Sequence, residues 1–263
     1  MIGAARTTAD ISVDIADARS VRDIVTEVKP SAIINAAALV SLAACEYDPD
    51  VAWAINADAV AAMRQSAEIV GSALVQISTD HFFTGDGRAL HDESARVTFV
   101  NEYARSKFGG EEACGGYADA LIVRTNFTGF RGDPRGQTFF EWAVQALKAA
   151  EPVTGFDDYF TSTLDASSCA RALCDLLERE VRGLFNIGAS DVMSKYEYLR
   201  CLAEELGCDG ANVRPGSVRG LTPIRAESLG LDCARAQSLL DWTLPDTRCA
   251  IQIAVAQAHS NDI

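Results

Sequence analysis

Short apolar runs alternate with longer segments of helical periodicity along this chain. Short segments, most of them apolar or nearly apolar runs, predict strands at 10–15, 31–36, 73–78, 120–125, 152–155 and 184–187. Apolar residues at helical spacing predict helices at about 17–28, 49–70, 101–114, 139–149 and 165–180. The first of these helices has Asp17 as its N-cap and runs to about Val28, because Pro30 prevents its continuation. From Met193 onwards the pattern predicts mostly helix.

Strands that alternate with helices at this spacing predict an α/β fold with a doubly wound, parallel, Rossmann-like sheet. The strand at 31–36 lacks polar alternation, which is expected when both faces of a parallel sheet are buried. Strand density falls beyond about residue 150. We therefore expect a first domain over 1–150 and a smaller region over 151–263, with the strand at 184–187 returning to the sheet.

Candidate chemistry is concentrated between Ile77 and Lys107. Ser78 and Thr79 close an apolar strand, and Tyr103 and Lys107 are spaced to share one helix face. A lysine ammonium beside a phenol favours the phenolate, so such a tyrosine can exchange a proton with a carbonyl oxygen while a nicotinamide transfers hydride. The alternative is a pair of solvent-exposed helix residues with no chemical role.

Composition narrows the function classes. The net charge of −14 over 263 residues argues against nucleic acid or an anionic membrane as a partner. The eight cysteines form no C-x-x-C pair and there are only three histidines, so neither a metal site nor a disulfide framework is expected. Free thiols in a cytoplasmic protein are the expectation. No nucleophile elbow and no Walker motif occurs.

Several motifs together resemble the extended short-chain dehydrogenase/reductase superfamily, and within it the dTDP-4-dehydrorhamnose reductase (RmlD-like) family. They occur in the family's order and extend the resemblance over nearly the whole chain. The motifs are Ile34-Asn35-Ala36-Ala37-Ala38, Ser78-Thr79-Asp80-His81-Phe82-Phe83, Tyr103-x-x-x-Lys107-x-x-Gly110-Glu111 and Val123-Arg124-Thr125-Asn126-Phe127. The resemblance implies that 1–150 form an NAD(P)-binding Rossmann-like domain and that 151–263 mainly bind substrate.

The resemblance also implies roles for matching residues. Tyr103 matches the catalytic acid, Lys107 the ribose-binding residue that lowers the tyrosine pKa, and Thr79 the hydroxyl that orients the carbonyl. The cofactor-binding residues that it implies are Asp14, Ile15, Asn35, Ala36, Ala37, Ala38, Ser78, Tyr103, Lys107 and Asn126. The substrate-binding residues that it implies are Thr79, Asp80, His81 and Phe127.

Some of these positions have a plainer interpretation. Small residues at 36–38 also suit tight helix–sheet packing, and Asp14 also suits a turn or a helix cap. Arg6 would end the second strand of the family's domain, where an arginine accommodates a 2′-phosphate and favours NADPH over NADH. The alternative for Arg6 is an ordinary surface arginine.

Two departures from the family fall on the substrate side. The family usually has tyrosine where His81 stands, and tryptophan is common where Phe127 stands. His81 is either a titrating ligand contact or a packing residue of aromatic size. Dehydratases of the superfamily typically have the sequence Thr-Asp-Glu where this chain has Thr79-Asp80-His81. A histidine at the third position therefore argues against a dehydratase.

The largest departure lies at the start. The family begins with a strand and a Gly-x-x-Gly-x-x-Gly turn that holds the cofactor pyrophosphate. Here Met1–Arg6 match the family's second strand instead, and no such turn occurs. We expect an in-frame upstream segment of roughly 25 to 45 residues, the size of a strand, turn and helix. For the 263-residue chain alone we expect weak or no NAD(P)H binding and doubtful activity.

The sequence thus predicts an NAD(P)H-dependent reductase of a nucleotide-activated 4-keto-6-deoxysugar. The cofactor is NADP or NAD, with NADPH favoured by Arg6. The expected partner of the protein is a nucleotide-sugar substrate, and assembly of the protein as a homodimer is considered. Two alternatives remain open: a non-catalytic binding subunit resembling the regulatory subunit of methionine adenosyltransferase, and an inactive fragment of the reductase.

Overall fold

A computed structural model describes residues 1–7, 9–132 and 136–260 of the protein. In chain order the strands are β1 (Ala4–Ala5), β2 (Ile11–Ser12), β3 (Ala32–Asn35), β4 (Ala73–Ile77), β5 (Leu90–His91), β6 (Ala120–Thr125), β7 (Phe127–Thr128), β8 (Val153–Phe156), β9 (Phe160–Thr161), β10 (Leu164–Asp165), β11 (Gly183–Ile187), β12 (Met193–Ser194), β13 (Val213–Gly216) and β14 (Ser228–Leu231). The α-helices are α1 (Ala18–Val28), α2 (Leu42–Tyr47), α3 (Pro49–Trp53), α4 (Ala59–Val70), α5 (Glu102–Ala113), α6 (Phe139–Lys148), α7 (Ala166–Glu178), α8 (Lys195–Glu205), α9 (Ala234–Gln237) and α10 (Thr247–Ser260). A π-helical turn, Ala54–Asp58, joins α3 to α4, and a 3-10 turn, Gly210–Asn212, precedes β13.

The chain divides into two compact units. Unit 1 comprises Met1–Thr79, Phe99–Val123 and Val181–Leu184. Unit 2 comprises Asp80–Thr98, Arg124–Glu180 and Phe185–Ile263.

A parallel sheet organises unit 1. Its strands run in the order β11, β6, β4, β3, with Asn35 beside Gln76 and Ile77 beside Val123. Four of the five residues of β4 are buried, as expected for a strand covered on both faces. The strands β1 and β2 form a separate parallel pair.

Helices α1 and α4 cover this sheet with one continuous core. It includes Val21 and Val25 from α1, Met63 from α4 and Leu74 from β4. The carboxylate of Asp17 accepts the Arg19 N–H at 3.0 Å and begins α1, as the sequence predicted. The predicted parallel α/β fold is confirmed.

Unit 2 contains short sheets and a helical core. Its four-stranded sheet has the order β12, β9, β14, β5, while β13 pairs with β8 and β10 with β7. Helices α6, α8 and α10 pack through a core that includes Phe140, Leu147, Tyr198, Leu202 and Ile251. Capping boxes begin both α6 and α8.

Several details differ from the sequence prediction, which also did not contain the two-residue strands β5, β7, β9, β10 and β12. The segment 49–70 is helical as predicted, but it contains the π-helical turn, and the short helix α2 before it was missed. The mostly helical prediction from Met193 omitted β13 and β14. Each is four residues long and contains glycine, so no strand periodicity is visible. Both form because they pair with distant strands, which outweighs local propensity.

Helix α5 packs closely on the π-helical turn at two glycines. A Cβ on Gly110 would overlap the backbone carbonyl oxygen of Asn56. A Cβ on Gly109 would lie 2.6 Å from a ring carbon of Trp53, a side chain that is partly exposed. The glycine of the Tyr-x-x-x-Lys-x-x-Gly motif therefore allows the helix to approach another backbone.

We expect Gly110→Ala to destabilise the protein by about 1 to 3 kcal/mol, because backbone must move to make room for the methyl group. Alanine gains about 1 kcal/mol in helix propensity, so the observed loss is a net value. Gly109→Ala is the matched control, since a movable side chain faces it. Urea unfolding of both variants checks the difference, and equal losses would contradict this account of Gly110.

Candidate active site

Ser78 and Thr79 follow directly on β4, at its carboxyl end. Both are buried. The Ser78 backbone N–H donates to the Val123 carbonyl at 2.7 Å, which continues the sheet register past the end of the strand. The Ser78 hydroxyl donates to Oε1 of Glu111 at 2.6 Å and so connects the strand end to α5. Carboxyl ends of parallel strands are where open α/β sheets bind ligands.

Tyr103 and Lys107 lie one turn apart on α5. The side chain of Asn101 accepts the Ala104 N–H at 2.8 Å and begins the helix just before the tyrosine. Tyr103 is 8% exposed and Lys107 is 3% exposed. A pair of solvent-exposed helix residues therefore does not describe them.

A chain of hydrogen bonds fixes Lys107 to the sheet. Its ammonium donates to the Ile77 carbonyl at 2.7 Å, and the Gln76 amide donates to the same oxygen at 3.0 Å. Asn35 donates to the Gln76 side-chain oxygen at 2.8 Å and accepts the Ala37 N–H at 3.1 Å. The lysine is thus held at the end of β4, two residues before Thr79, and is linked to the loop that follows β3.

Burial lowers the pKa of Lys107 to about 8, and the negative charge of Glu111 opposes this shift. Glu111 lies one helical turn after Lys107 on α5 and is itself buried. Glu111 therefore has two functions in unit 1: it accepts a hydrogen bond from the Ser78 hydroxyl, and it favours the charged form of Lys107.

We expect Glu111→Gln to destabilise the protein by about 1 kcal/mol more at pH 7 than at pH 9.5. The folded-state pKa of Lys107, about 8, lies below its ordinary value of 10.5. At pH 7 the folded lysine is charged and attracted by Glu111. That stability is present below about pH 8 and is lost as the pH rises through the folded pKa.

Urea unfolding at the two pH values measures this difference. The control is the same substitution in a Lys107→Met background, where the dependence on pH should disappear. A destabilisation that is equal at both pH values in both backgrounds would show that Glu111 acts through the Ser78 hydrogen bond alone.

The predicted cofactor residues of unit 1 lie on its strand ends and loops. Arg6 is exposed and follows β1, and Ala36 and Ala37 are exposed just after β3. Ala38 and Ile15 are half-buried, and Ile15 packs against the unit 1 core. The carboxylate of Asp14 accepts the Ala16 N–H at 3.1 Å, which is the turn interaction considered as its alternative role.

The predicted substrate residues other than Thr79 lie in unit 2. Asp80 is buried and accepts the Asn126 amide at 2.7 Å. Asn126 in turn accepts the Thr163 hydroxyl at 3.3 Å. Phe127 is 48% exposed, an unusual state for a large apolar ring.

His81 is half-buried and lies 3.0 Å from the Tyr159 hydroxyl through its Nε2. Burial, which is the largest cause, and the positive charges of Arg225 and Lys195 together lower the pKa of His81 to about 4. The imidazole is therefore neutral near neutral pH, so its role there is hydrogen bonding and packing rather than a change of charge.

Comparison with known proteins identifies the family. The sequence matches the family model described as RmlD substrate binding domain over residues 2–259. The chain belongs to this family. The family resemblance inferred from the motifs is thereby confirmed.

Known relatives agree with this assignment. A probable low-salt glycan biosynthesis reductase of Haloferax volcanii is 29% identical, over 94% of this chain and 85% of that protein. The dTDP-4-dehydrorhamnose reductase of Escherichia coli K12 is 27% identical, over 91% of this chain and 83% of that protein. The crystal structure of dTDP-4-dehydrorhamnose reductase from Bacillus anthracis in complex with NADP has a TM-score of 0.85 at 22% identity, covering 93% of this chain and 87% of that one. At that identity, the structural match supports the fold.

Three buried polar residues of this RmlD-family chain were given no role in the sequence analysis. They are Gln76, Glu111 and Asn56. Gln76 offered a signal, because it interrupts an apolar strand, and Glu111 stands one turn after Lys107. The Asn56 side chain accepts the Leu39 backbone N–H and donates to the Leu39 carbonyl. It also donates to the Ser106 hydroxyl at 3.0 Å, so it connects the loop after β3 to α5.

Two other features were sought within residues 1–7, 9–132 and 136–260. No group of His, Cys, Asp and Glu side chains in these ranges is arranged to hold a metal ion. No helix in the same ranges is both long and apolar enough to cross a membrane.

Proposed function

We propose that this RmlD-family protein is an NAD(P)H-dependent reductase of a nucleotide-activated 4-keto-6-deoxysugar. The observation that carries the proposal is the buried Tyr103–Lys107 face of α5, anchored by the Lys107–Ile77 hydrogen bond at the strand end that bears Thr79. Two relatives over most of this chain carry reductase names, one of them for dTDP-4-dehydrorhamnose.

The residues at the carboxyl ends of β3 and β4 fit a nicotinamide cofactor. Ala36 and Ala37 are small and exposed, which leaves the backbone of this loop open to a ligand. We propose that the Lys107 ammonium, which bonds the Ile77 carbonyl next to Ser78 in the chain, also donates to the ribose hydroxyls. The further cofactor-binding residues that we propose are Asp14, Ile15, Asn35, Ala38 and Asn126. The exposed guanidinium of Arg6, at the end of β1, suits a 2′-phosphate and favours NADPH.

The proposed chemistry is the reduction of a ketone to an alcohol. When bound, the reduced nicotinamide supplies hydride to the carbonyl carbon. Tyr103 donates the phenol proton to the carbonyl oxygen as negative charge develops there. Lys107 favours the phenolate that remains, and the Thr79 hydroxyl donates a hydrogen bond that orients the carbonyl.

The sugar nucleotide is assigned to Thr79, Asp80, His81 and Phe127. The Asp80 carboxylate is positioned by Asn126 and can accept a hydrogen bond from a sugar hydroxyl. Neutral His81 offers hydrogen bonding without charge, and the exposed Phe127 ring offers an apolar face. We infer that the sugar is attached to a nucleotide from the name of the Escherichia coli relative, dTDP-4-dehydrorhamnose reductase.

The proposal is tested with the protein as the cell makes it. NADPH absorbance is followed with dTDP-4-dehydrorhamnose as substrate, and then with a free keto sugar that lacks the nucleotide. We expect NADPH consumption that depends on the nucleotide-activated sugar and is slower with NADH. Binding of the nucleotide sugar with no turnover would support a non-catalytic binding subunit instead.

A further inference from the structure

Lys195 places a positive charge within unit 2, at the first position of α8. Ser194, the residue before it, and Glu197, two residues after it, form the capping box that begins the helix. The ammonium lies 4.9 Å from the ring centroid of Phe139 and 5.2 Å from that of Tyr198. These ring faces stabilise the cation from one side.

The ammonium of Lys195 has more donors than the protein uses. An ammonium carries three N–H donors. Within the part of the chain that the structure describes, it donates one hydrogen bond, to the Thr163 hydroxyl at 3.3 Å. The residue is half-buried, so part of its side chain is accessible to solvent.

A carboxylate belongs to the same polar cluster. Thr163, the acceptor of the Lys195 ammonium, donates to Asn126, and Asn126 donates to Asp80. Burial lowers the pKa of Lys195 to about 8, and the negative charge of Asp80 opposes this shift. The cluster therefore combines a cation, an anion and two neutral side chains that link them.

This combination selects among ligands. A phosphate would be attracted by Lys195 but repelled by Asp80. A sugar hydroxyl can accept from the ammonium and donate to the carboxylate, so it uses both groups. The Phe139 ring, 39% exposed, adds an apolar face of the kind that packs on the C–H groups of a sugar ring.

We infer that Lys195 is a specificity-determining residue whose ammonium binds a hydroxyl oxygen of the substrate's sugar ring, with Asp80 accepting that hydroxyl's hydrogen bond. The inference rests on the proposed function, because it concerns the sugar of that substrate. It adds a residue that no family motif in the sequence pointed to, 116 positions beyond Thr79 in the chain (195 − 79).

The test measures binding by isothermal titration, separately for dTDP-rhamnose and for dTDP. Lys195→Met removes the charge and keeps a flexible side chain against the two rings. We expect the substitution to weaken the binding of dTDP-rhamnose roughly 10- to 100-fold, which is the contribution of one charge-assisted hydrogen bond. The dissociation constant for dTDP should stay within about twofold of the wild-type value. Lys195→Arg should recover part of the loss, because it restores a cationic donor. The control is Lys148→Met, which replaces an exposed lysine of α6. It should change neither the dissociation constant for dTDP-rhamnose nor that for dTDP.

Each contrary outcome has a distinct meaning. Equal losses for dTDP and dTDP-rhamnose would assign Lys195 to the phosphates and overturn the inference. Unchanged affinity in Lys195→Met, with thermal unfolding like that of the wild type, would show that water satisfies the ammonium and would overturn it as well. If the wild type reduces the keto sugar while Lys195→Met binds dTDP-rhamnose normally, the inference fails and the proposed function stands. If the wild type binds no dTDP-sugar, both fail.

Discussion

Replacing Tyr103 with phenylalanine should lower kcat by about 10²- to 10⁴-fold, the usual worth of a general acid, with cofactor affinity nearly intact. The phenol is the proposed proton source for the developing alkoxide, so its removal acts on the chemical step. Phenylalanine keeps the ring, which is buried beside Cys45 and Ala52, so stability should change little. Steady-state kinetics and NADPH titration on one preparation measure both quantities.

A normal rate in the Tyr103→Phe enzyme would remove the tyrosine from the mechanism. The control is Tyr47→Phe, which also deletes one phenolic hydroxyl from unit 1 but at a side chain that is 91% exposed. We expect this control to leave kcat and the unfolding midpoint unchanged.

Replacing Lys107 with methionine should affect three quantities together. Loss of the ammonium weakens ribose binding by about 1.5 to 3 kcal/mol, the worth of a hydrogen bond from a charged group. It lowers kcat by roughly 10- to 10³-fold, because the charge that favours the tyrosine phenolate is gone. The alkaline limb of the pH–rate profile should move to higher pH, since the proton is then harder to remove from the tyrosine.

The contrast between the two substitutions is informative because a purely structural role would not separate them. Methionine preserves the packing of the long side chain but removes the hydrogen bond to the Ile77 carbonyl. If Lys107→Met lowers kcat without any change in cofactor affinity or in the pH–rate profile, the lysine positions α5 on the sheet and does not bind ribose.

The sequence predicted the elements that carry the site because each has a strong local signal. The strands β3, β4 and β6 are apolar runs of a length that buried parallel strands require. Helix α5 begins with an asparagine cap and carries Tyr103 and Lys107 at helical spacing. Such signals depend on neighbours in the chain, and a single sequence contains them.

The partners that hold the site together could not be predicted in the same way. Asn35 and Gln76 are 41 positions apart, and Ser78 and Glu111 are 33 apart, so only the sheet register and the packing of α5 bring them within hydrogen-bonding distance. Nothing in the local sequence distinguishes Lys195 from the other charged residues of the chain. Its importance depends on Thr163, which lies 32 positions earlier.

We propose that Thr79, Tyr103 and Lys107 together direct hydride from the nicotinamide to the C4 carbonyl of a nucleotide-activated keto sugar. The most direct measurement uses the protein as the cell makes it, NADPH deuterated at the transferred position, and nuclear magnetic resonance of the product. We expect one deuterium on C4 of a dTDP-6-deoxysugar. A product without deuterium, or with deuterium at another carbon, would contradict the claim.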